Sequence, residues 1–232
     1  MASSISKRAR MVLLGSVVLT LAVYIIPFGR IVGYPFLLLS TLAHEMGHGI
    51  TAVAVGAHFH SFHMWPDGSG VANIGGVSGR VSQAAVAAGG LVGPAIAAAM
   101  LFTVGRNTTL ARISLGILGA LLIVAELLVV RGMFAWVFVA ILAGACLAIA
   151  RQRREWLAQL TVVFLAVQLA CSVFSRSDYL FTPVAHTSRG PMPSDVAMMA
   201  QALVLPYWFW GGLCALFSVA VLWAGLRHFC RA

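Results

Sequence analysis

Pro35-Phe36-Leu37-Leu38-Leu39-Ser40-Thr41-Leu42-Ala43-His44-Glu45-Met46-Gly47-His48-Gly49-Ile50-Thr51-Ala52-Val53-Ala54-Val55 is the stretch on which the reading of this chain turns. A helix crosses a bilayer with about 20 mostly apolar residues, and this run has that length. Yet it carries two imidazoles and a carboxylate near its middle. On a helix, His44 and His48 lie one turn apart on the same face, at a separation that a single tetrahedral Zn2+ ion can bridge. Glu45, beside the first histidine, is placed to reach a water on the metal and not the metal itself. Two neutral ligands keep the ion Lewis-acidic while the carboxylate accepts a proton, which is the division of labour that metal-assisted hydrolysis needs. The competing reading is a polar cluster satisfied by helix packing. Packing does not need such groups, and a charged residue mid-span costs about 2.5 to 3.5 kcal/mol even on lenient insertion scales.

The rest of the chain supplies the membrane setting. Of 232 residues, 61% are hydrophobic and 9% charged, with mean hydropathy +0.96. That is more apolar surface than one soluble core can hide. The expected fold class is all-α, a polytopic helical membrane protein with six or seven transmembrane helices and a short Gly-rich hairpin after the second. Residues 1–232 then form one integral membrane domain. The spans fall roughly at Met11 to Phe28, Pro35 to Val55, Val81 to Val104, Leu110 to Val130, Gly132 to Ala150, Trp156 to Phe174 and Leu205 to Leu226. Apolar length favours seven crossings. The distribution of basic residues fits six better, with one segment between Val81 and Ala150 not crossing.

Three connections stand out. Gly56 to Gly79 alternates through Ala57 to Met64, turns at Pro66-Asp67-Gly68 and continues into a Gly-rich strand, so it reads as a hairpin packed at or just within the membrane surface. Arg151-Gln152-Arg153-Arg154 is a basic cluster. Ser175 to Ser194, broken by Pro183, Gly190, Pro191 and Pro193, is not a continuous helix. The formal charge of +9 sits mainly at the ends of apolar runs, where it serves lipid headgroups and not nucleic acid. Lys7, Arg8 and Arg10 before an apolar run have the form of a signal sequence. Without a small-x-small site after it, an uncleaved first span is expected. Cys146, Cys171, Cys214 and Cys230 are scattered and read as small buried hydrophobes.

A catalytic zinc normally has three protein ligands and one open position, so a third ligand is sought among six acids. Asp195, opening an apolar stretch after Pro193-Ser194, is the first choice. The same position also suits a helix N-cap or first-turn acid. Asp178 is the reserve. His58, His60 and His63 could hold a second metal, although alternation beside aromatics more often marks an interfacial strand with polar tips. Glu126 stands alone in an apolar run, as a protonated packing residue or part of a proton path. Small residues around the motif, Gly47, Gly49, Ala52, Ala54 and Gly56, admit a close helix or a substrate backbone.

The run Ala43-His44-Glu45-Met46-Gly47-His48-Gly49-Ile50-Thr51-Ala52, the Gly-rich hairpin, and Gly89-Gly90-Leu91-Val92-Gly93-Pro94 together resemble the site-2 protease family of intramembrane zinc metalloproteases, most closely its M50B-like bacterial branch. Ser194-Asp195-Val196-Ala197-Met198-Met199-Ala200 is similar to that branch's Ser-Asp segment before its last span. The resemblance implies His44, His48 and Asp195 as zinc ligands and Glu45 as general base. It also implies a membrane-protein or membrane-associated peptide substrate and a place in the bacterial cytoplasmic membrane. The chain departs from better-known members by Ser-Asp-Val in place of Leu-Asp-Gly, and by Ala97 where they have asparagine. Two other functions stay open: a catalytically inactive zinc-binding partner protein, and a small ion or proton transporter using His44, Glu45 and Glu126. Bound zinc separates the last from the others, and the effect of replacing Glu45 separates the first two.

Overall fold

The computed structural model describes residues 2–25, 27–175, 177–188 and 190–231, without the side chains of residues 2–10, 23, 24, 30, 155, 177 and 178. Seven of its helices are long: α1 (Ala2–Ile25), α2 (Gly29–Ala54), α3 (Arg80–Gly105), α4 (Thr108–Leu128), α5 (Met133–Ala150), α6 (Glu155–Ser175) and α8 (Tyr207–Cys230). A short α7 (Asp195–Leu203) precedes the last. Five of them, α3, α4, α5, α6 and α8, have the length and apolarity to cross a membrane. The polar motif of α2 dilutes its apolar run, and α1 carries a shorter apolar stretch, Met11–Ala22. The protein is a polytopic helical membrane protein, as the hydropathy implies.

The caps follow local chemistry. Asn107 accepts hydrogen bonds from the amides of Thr109 and Leu110 (2.8 and 3.1 Å) and starts α4, satisfying donors that a helix N-terminus leaves open. Pro206, preset in the extended region, precedes α8. At one end of the bundle, Gln159 donates to the Gly105 carbonyl (2.9 Å), Arg112 donates to the Ala150 carbonyl (3.0 Å), and Arg106 lies 3.4 Å from His228 Nε2. The helix ends gathered there are the close of α3, the α5–α6 junction and the close of α8. The segments after α2, α4 and α6 gather at the other end. Helices α3, α4 and α5 therefore each run from one end to the other.

Strands β1 (His58–Met64) and β2 (Gly70–Gly75) form the expected hairpin, antiparallel, with an irregularity between Phe59 and Ser61. A two-residue β3 (Val130–Arg131) joins β1 in parallel through Phe62 and His63, so the order is β2-β1-β3 and β2 is an edge. The hairpin does not simply cap the end of α2. It folds back along it: Tyr34 Oη donates to the Pro66 carbonyl (2.6 Å) and Thr41 Oγ1 to the Gly68 carbonyl (2.7 Å). Phe62 is buried against Leu38, Leu42, Leu122 and Val130, which gives the alternating strand its inward face. The Pro-rich connection holds a 3-10 helix (Ser177–Phe181) and a second hairpin, β4 (Val184–Thr187) with β5 (Gly190–Pro193). Helix α3 lies at the centre, packed on α2, α6, α7 and α8.

Candidate metal centre

Helix α2 places His44 and His48 one turn apart, with ring centroids 4.7 Å apart and planes at 88°. Their Nε2 atoms lie 3.2 Å from each other. The second histidine is oriented from behind. Its Nδ1 lies 2.8 Å from the Val86 carbonyl of α3; a carbonyl only accepts, so Nδ1 carries the proton and Nε2 keeps its lone pair for a cation. Helices α2 and α3 can come this close because small residues meet. A Cβ on Gly90 would collide with the His48 ring, and one on Gly93 would sit 2.9 Å from the Ala43 carbonyl oxygen. The small residues around the motif thus admit a neighbouring helix.

Asp195 arrives from the far end of the chain. The cap position of α7 falls on Ser194, whose Oγ accepts from the Ala197 amide (3.3 Å). The buried Asp195 side chain is therefore free to face the histidines, with Oδ2 3.1 Å from His44 Nε2 and Oδ1 3.3 Å from His48 Nε2. The approach to Oδ2 is close but not along a hydrogen-bond direction, and that oxygen has no hydrogen-bond partner. One donor atom from each of His44, His48 and Asp195 lies within 4.8 Å of the other two, the one such cluster among the described residues.

These residues fit a zinc ion. With Zn–N and Zn–O bonds of 2.0 to 2.2 Å, tetrahedral ligand atoms stand about 3.4 Å apart. His44 Nε2 and His48 Nε2 stand 3.2 Å apart, and Asp195 meets them with two different oxygens, Oδ2 3.1 Å from the first and Oδ1 3.3 Å from the second; taken as one donor atom from each residue, the three lie within 4.8 Å of one another. The orphaned carboxylate oxygen and a nitrogen-rich donor set suit the same ion. Glu45, also buried, lines the same cavity as His44. The first residue of β2 is seated against it: a Cβ on Gly70 would lie 2.9 Å from Glu45 Cγ and 2.7 Å from Thr41 Cγ2.

A sequence model of the family described as Peptidase M50B-like matches residues 12–225. The chain belongs to this family. No curated protein and no solved structure matches it. Membership makes the M50B-like chain a membrane protein of metallopeptidase type, in keeping with the apolar helices and the clustered His44, His48 and Asp195.

His58, His60, His63 and Glu126 of this M50B-like chain are not part of that cluster. The backbone of Asp178 lies in the 3-10 helix, but its side chain lies outside the described residues. His58 and His60 share one face of β1 with ring centroids 6.0 Å apart, while His63 stacks on Trp65 at 6.2 Å. Glu126 is buried in α4, with Oε1 lacking a hydrogen-bond partner. Sequence reasoning missed Tyr179, edge-on to His44 at 5.9 Å, and His186 of β4; both line the cavity. It also missed the Val86 carbonyl. Only the Gly89-Gly90 pair carried a local signal of close approach.

Proposed function

We propose that this chain is an intramembrane zinc metalloprotease that hydrolyses a peptide bond in a membrane-associated substrate, with His44, His48 and Asp195 holding the ion and Glu45 as general base. The observation that supports the reading is one donor atom from each of His44, His48 and Asp195 within 4.8 Å of the other two, with a glutamate in the same cavity. Zinc held there supplies the Lewis acidity that polarises a peptide carbonyl and acidifies water. The Glu45 carboxylate, adjacent in sequence to a ligand but not part of the cluster, takes the proton from the attacking water and returns it to the leaving amine. The Val86 carbonyl fixes the His48 tautomer and raises its basicity. Substrate must be extended before attack, because a helix holds its carbonyls in internal hydrogen bonds. The outer edge of β2, which begins at Gly70 against Glu45, offers such a segment backbone pairing. The setting is the bacterial cytoplasmic membrane.

The test is metal content and cleavage, measured together on purified protein. Glu45→Gln lowers cleavage of a membrane peptide by about 10²- to 10⁴-fold while zinc stays at wild-type stoichiometry; cleavage at the wild-type rate removes the mechanism. His44→Ala, His48→Ala and Asp195→Ala lose zinc, whereas Asp178→Ala keeps it. If wild type binds zinc and cleaves nothing, the chain is instead a zinc-dependent binding protein.

A further inference from the structure

The cavity that contains His44 and Glu45 is closed in by the two hairpins. Ser69 and Gly70 line it from the first hairpin, and Ala185, His186 and Thr187 from β4 of the second. Its volume is about 110 Å³, whereas pockets that seat drug-sized ligands measure about 300–1,000 Å³. An extended peptide does not fit beside Glu45 in this state, so one wall must move to admit it.

The two hairpins differ in how they are held. The first is tied to α2 by the Tyr34 and Thr41 bonds to its turn, and its strand β1 is pinned by β3. The second packs chiefly on itself. Ala185 is buried beneath it, but Val184, His186 and Met192 are exposed. Pro191 and Pro193 deprive β5 of two amide donors, so it cannot be fully stitched into a neighbouring sheet. At its base the Ser194 amide donates to the Pro183 carbonyl (3.0 Å). At its tip it meets the fixed turn of the first hairpin. Ser188 Oγ donates to Asp67 Oδ2 (2.6 Å) and the Ser188 amide to Ser69 Oγ (3.3 Å). Asp67 Oδ1 accepts from the Ser69 hydroxyl (2.7 Å) and amide (2.9 Å).

We propose that the β4–β5 hairpin is a flap over the active-site cavity, hinged at Pro183 and Ser194, and that Ser188 bonded to Asp67 is its catch. A charge-assisted bond is strong enough to hold a lid. Being exposed, it exchanges readily with water, which keeps opening within reach of a substrate. Closed, the flap shuts bulk water away from the reacting groups; open, it uncovers Glu45 and the outer edge of β2. The consequence for cleavage rests on the peptidase reading above, but the motion does not.

Two measurements on detergent-solubilised, zinc-loaded protein test it. In hydrogen exchange, Ser188→Ala accelerates the backbone amides of β4 and β5 by about tenfold, as expected for the loss of one such bond, while α2 and α3 are unchanged. Equal rates in the two proteins overturn the catch. In the second, Ser69→Cys and Ser188→Cys are combined on a Cys230→Ser background, since the native hydroxyls lie 3.5 Å apart. The oxidised protein is expected to cleave a fluorogenic membrane peptide at least tenfold more slowly than the same sample after phosphine reduction, with equal zinc. Failure of the disulfide to form, or equal rates in both states, overturns the flap. If the reduced, zinc-loaded protein and wild type cleave nothing, the peptidase reading falls, and hydrogen exchange still decides whether the hairpin opens.

Discussion

Gly90 has no side chain because the His48 ring occupies the space where one would go. Glycine in a membrane helix is ordinarily a packing residue; here it also sets the position of the His48 ring. Gly90→Ala is expected to push the imidazole off the line between the Val86 carbonyl and the shared point with Asp195. Zinc affinity should drop by about 10- to 100-fold, the range for losing a residue that orients a ligand. Competition with a chromophoric chelator measures it, and wild-type affinity would show that the ring can give way. The histidine pair was legible because four-residue spacing on a helix is a local fact. The proposed third ligand was only half legible: Ser194-Asp195 after a proline also reads as a cap, and in the structure the cap falls on Ser194. The Val86 carbonyl was not legible at all. It lies 38 residues from His48, and a backbone acceptor leaves no mark in side-chain pattern.

At the scale of elements, the two hairpins show what alternation can and cannot reveal. The first announced itself by period-two patterning and a Pro-Asp-Gly turn, but its docking along α2 depends on contacts such as Tyr34 with Pro66 that no periodicity encodes. The second is hidden in sequence because Gly190, Pro191 and Pro193 are residues that normally end strands. Strand β3 is too short to carry a pattern. A pH dependence belongs to these elements. Hydrogen bonds from Ser188 and Ser69 hold the Asp67 carboxyl below its ordinary value of 3.8. A lowered carboxyl pKa means the stabilisation is complete above the ordinary value and is lost as pH falls through the lowered one. After correction for intrinsic rates, protection of the second hairpin against exchange should be flat from about pH 8 to 5 and fall below about pH 4. In Asp67→Asn that acid limb should disappear; its persistence would place the titrating group elsewhere.

For the whole molecule, composition was enough to place the chain in a bilayer, and the structure shows why so much apolar side chain stays outside. On α4, Ile113, Ile117, Leu121, Val124 and Leu128 are all exposed, spaced three or four apart as one stripe of a helix surface. Such a stripe has lipid as its partner. Charge counting favoured six crossings because seven leave basic residues at both ends, Arg131 near one and Arg153 with Arg154 near the other. In sealed vesicles, a membrane-impermeant maleimide should label Cys230 and Arg153→Cys from the same side and Arg131→Cys from the opposite one. Labelling of positions 131 and 153 from one side would mean that α5 does not cross.

Ser194 ends one hairpin and begins the helix whose first residue is Asp195, so a single peptide bond joins the lower hinge of the lid to a corner of the proposed ion's cage. Lifting the lid tugs on that corner, and a vacant, gaping enzyme should grip its cation less firmly than a shut one. A cobalt-substituted sample would report this optically, its visible bands shifting whenever a bound peptide props the hairpin open, long before any product is released.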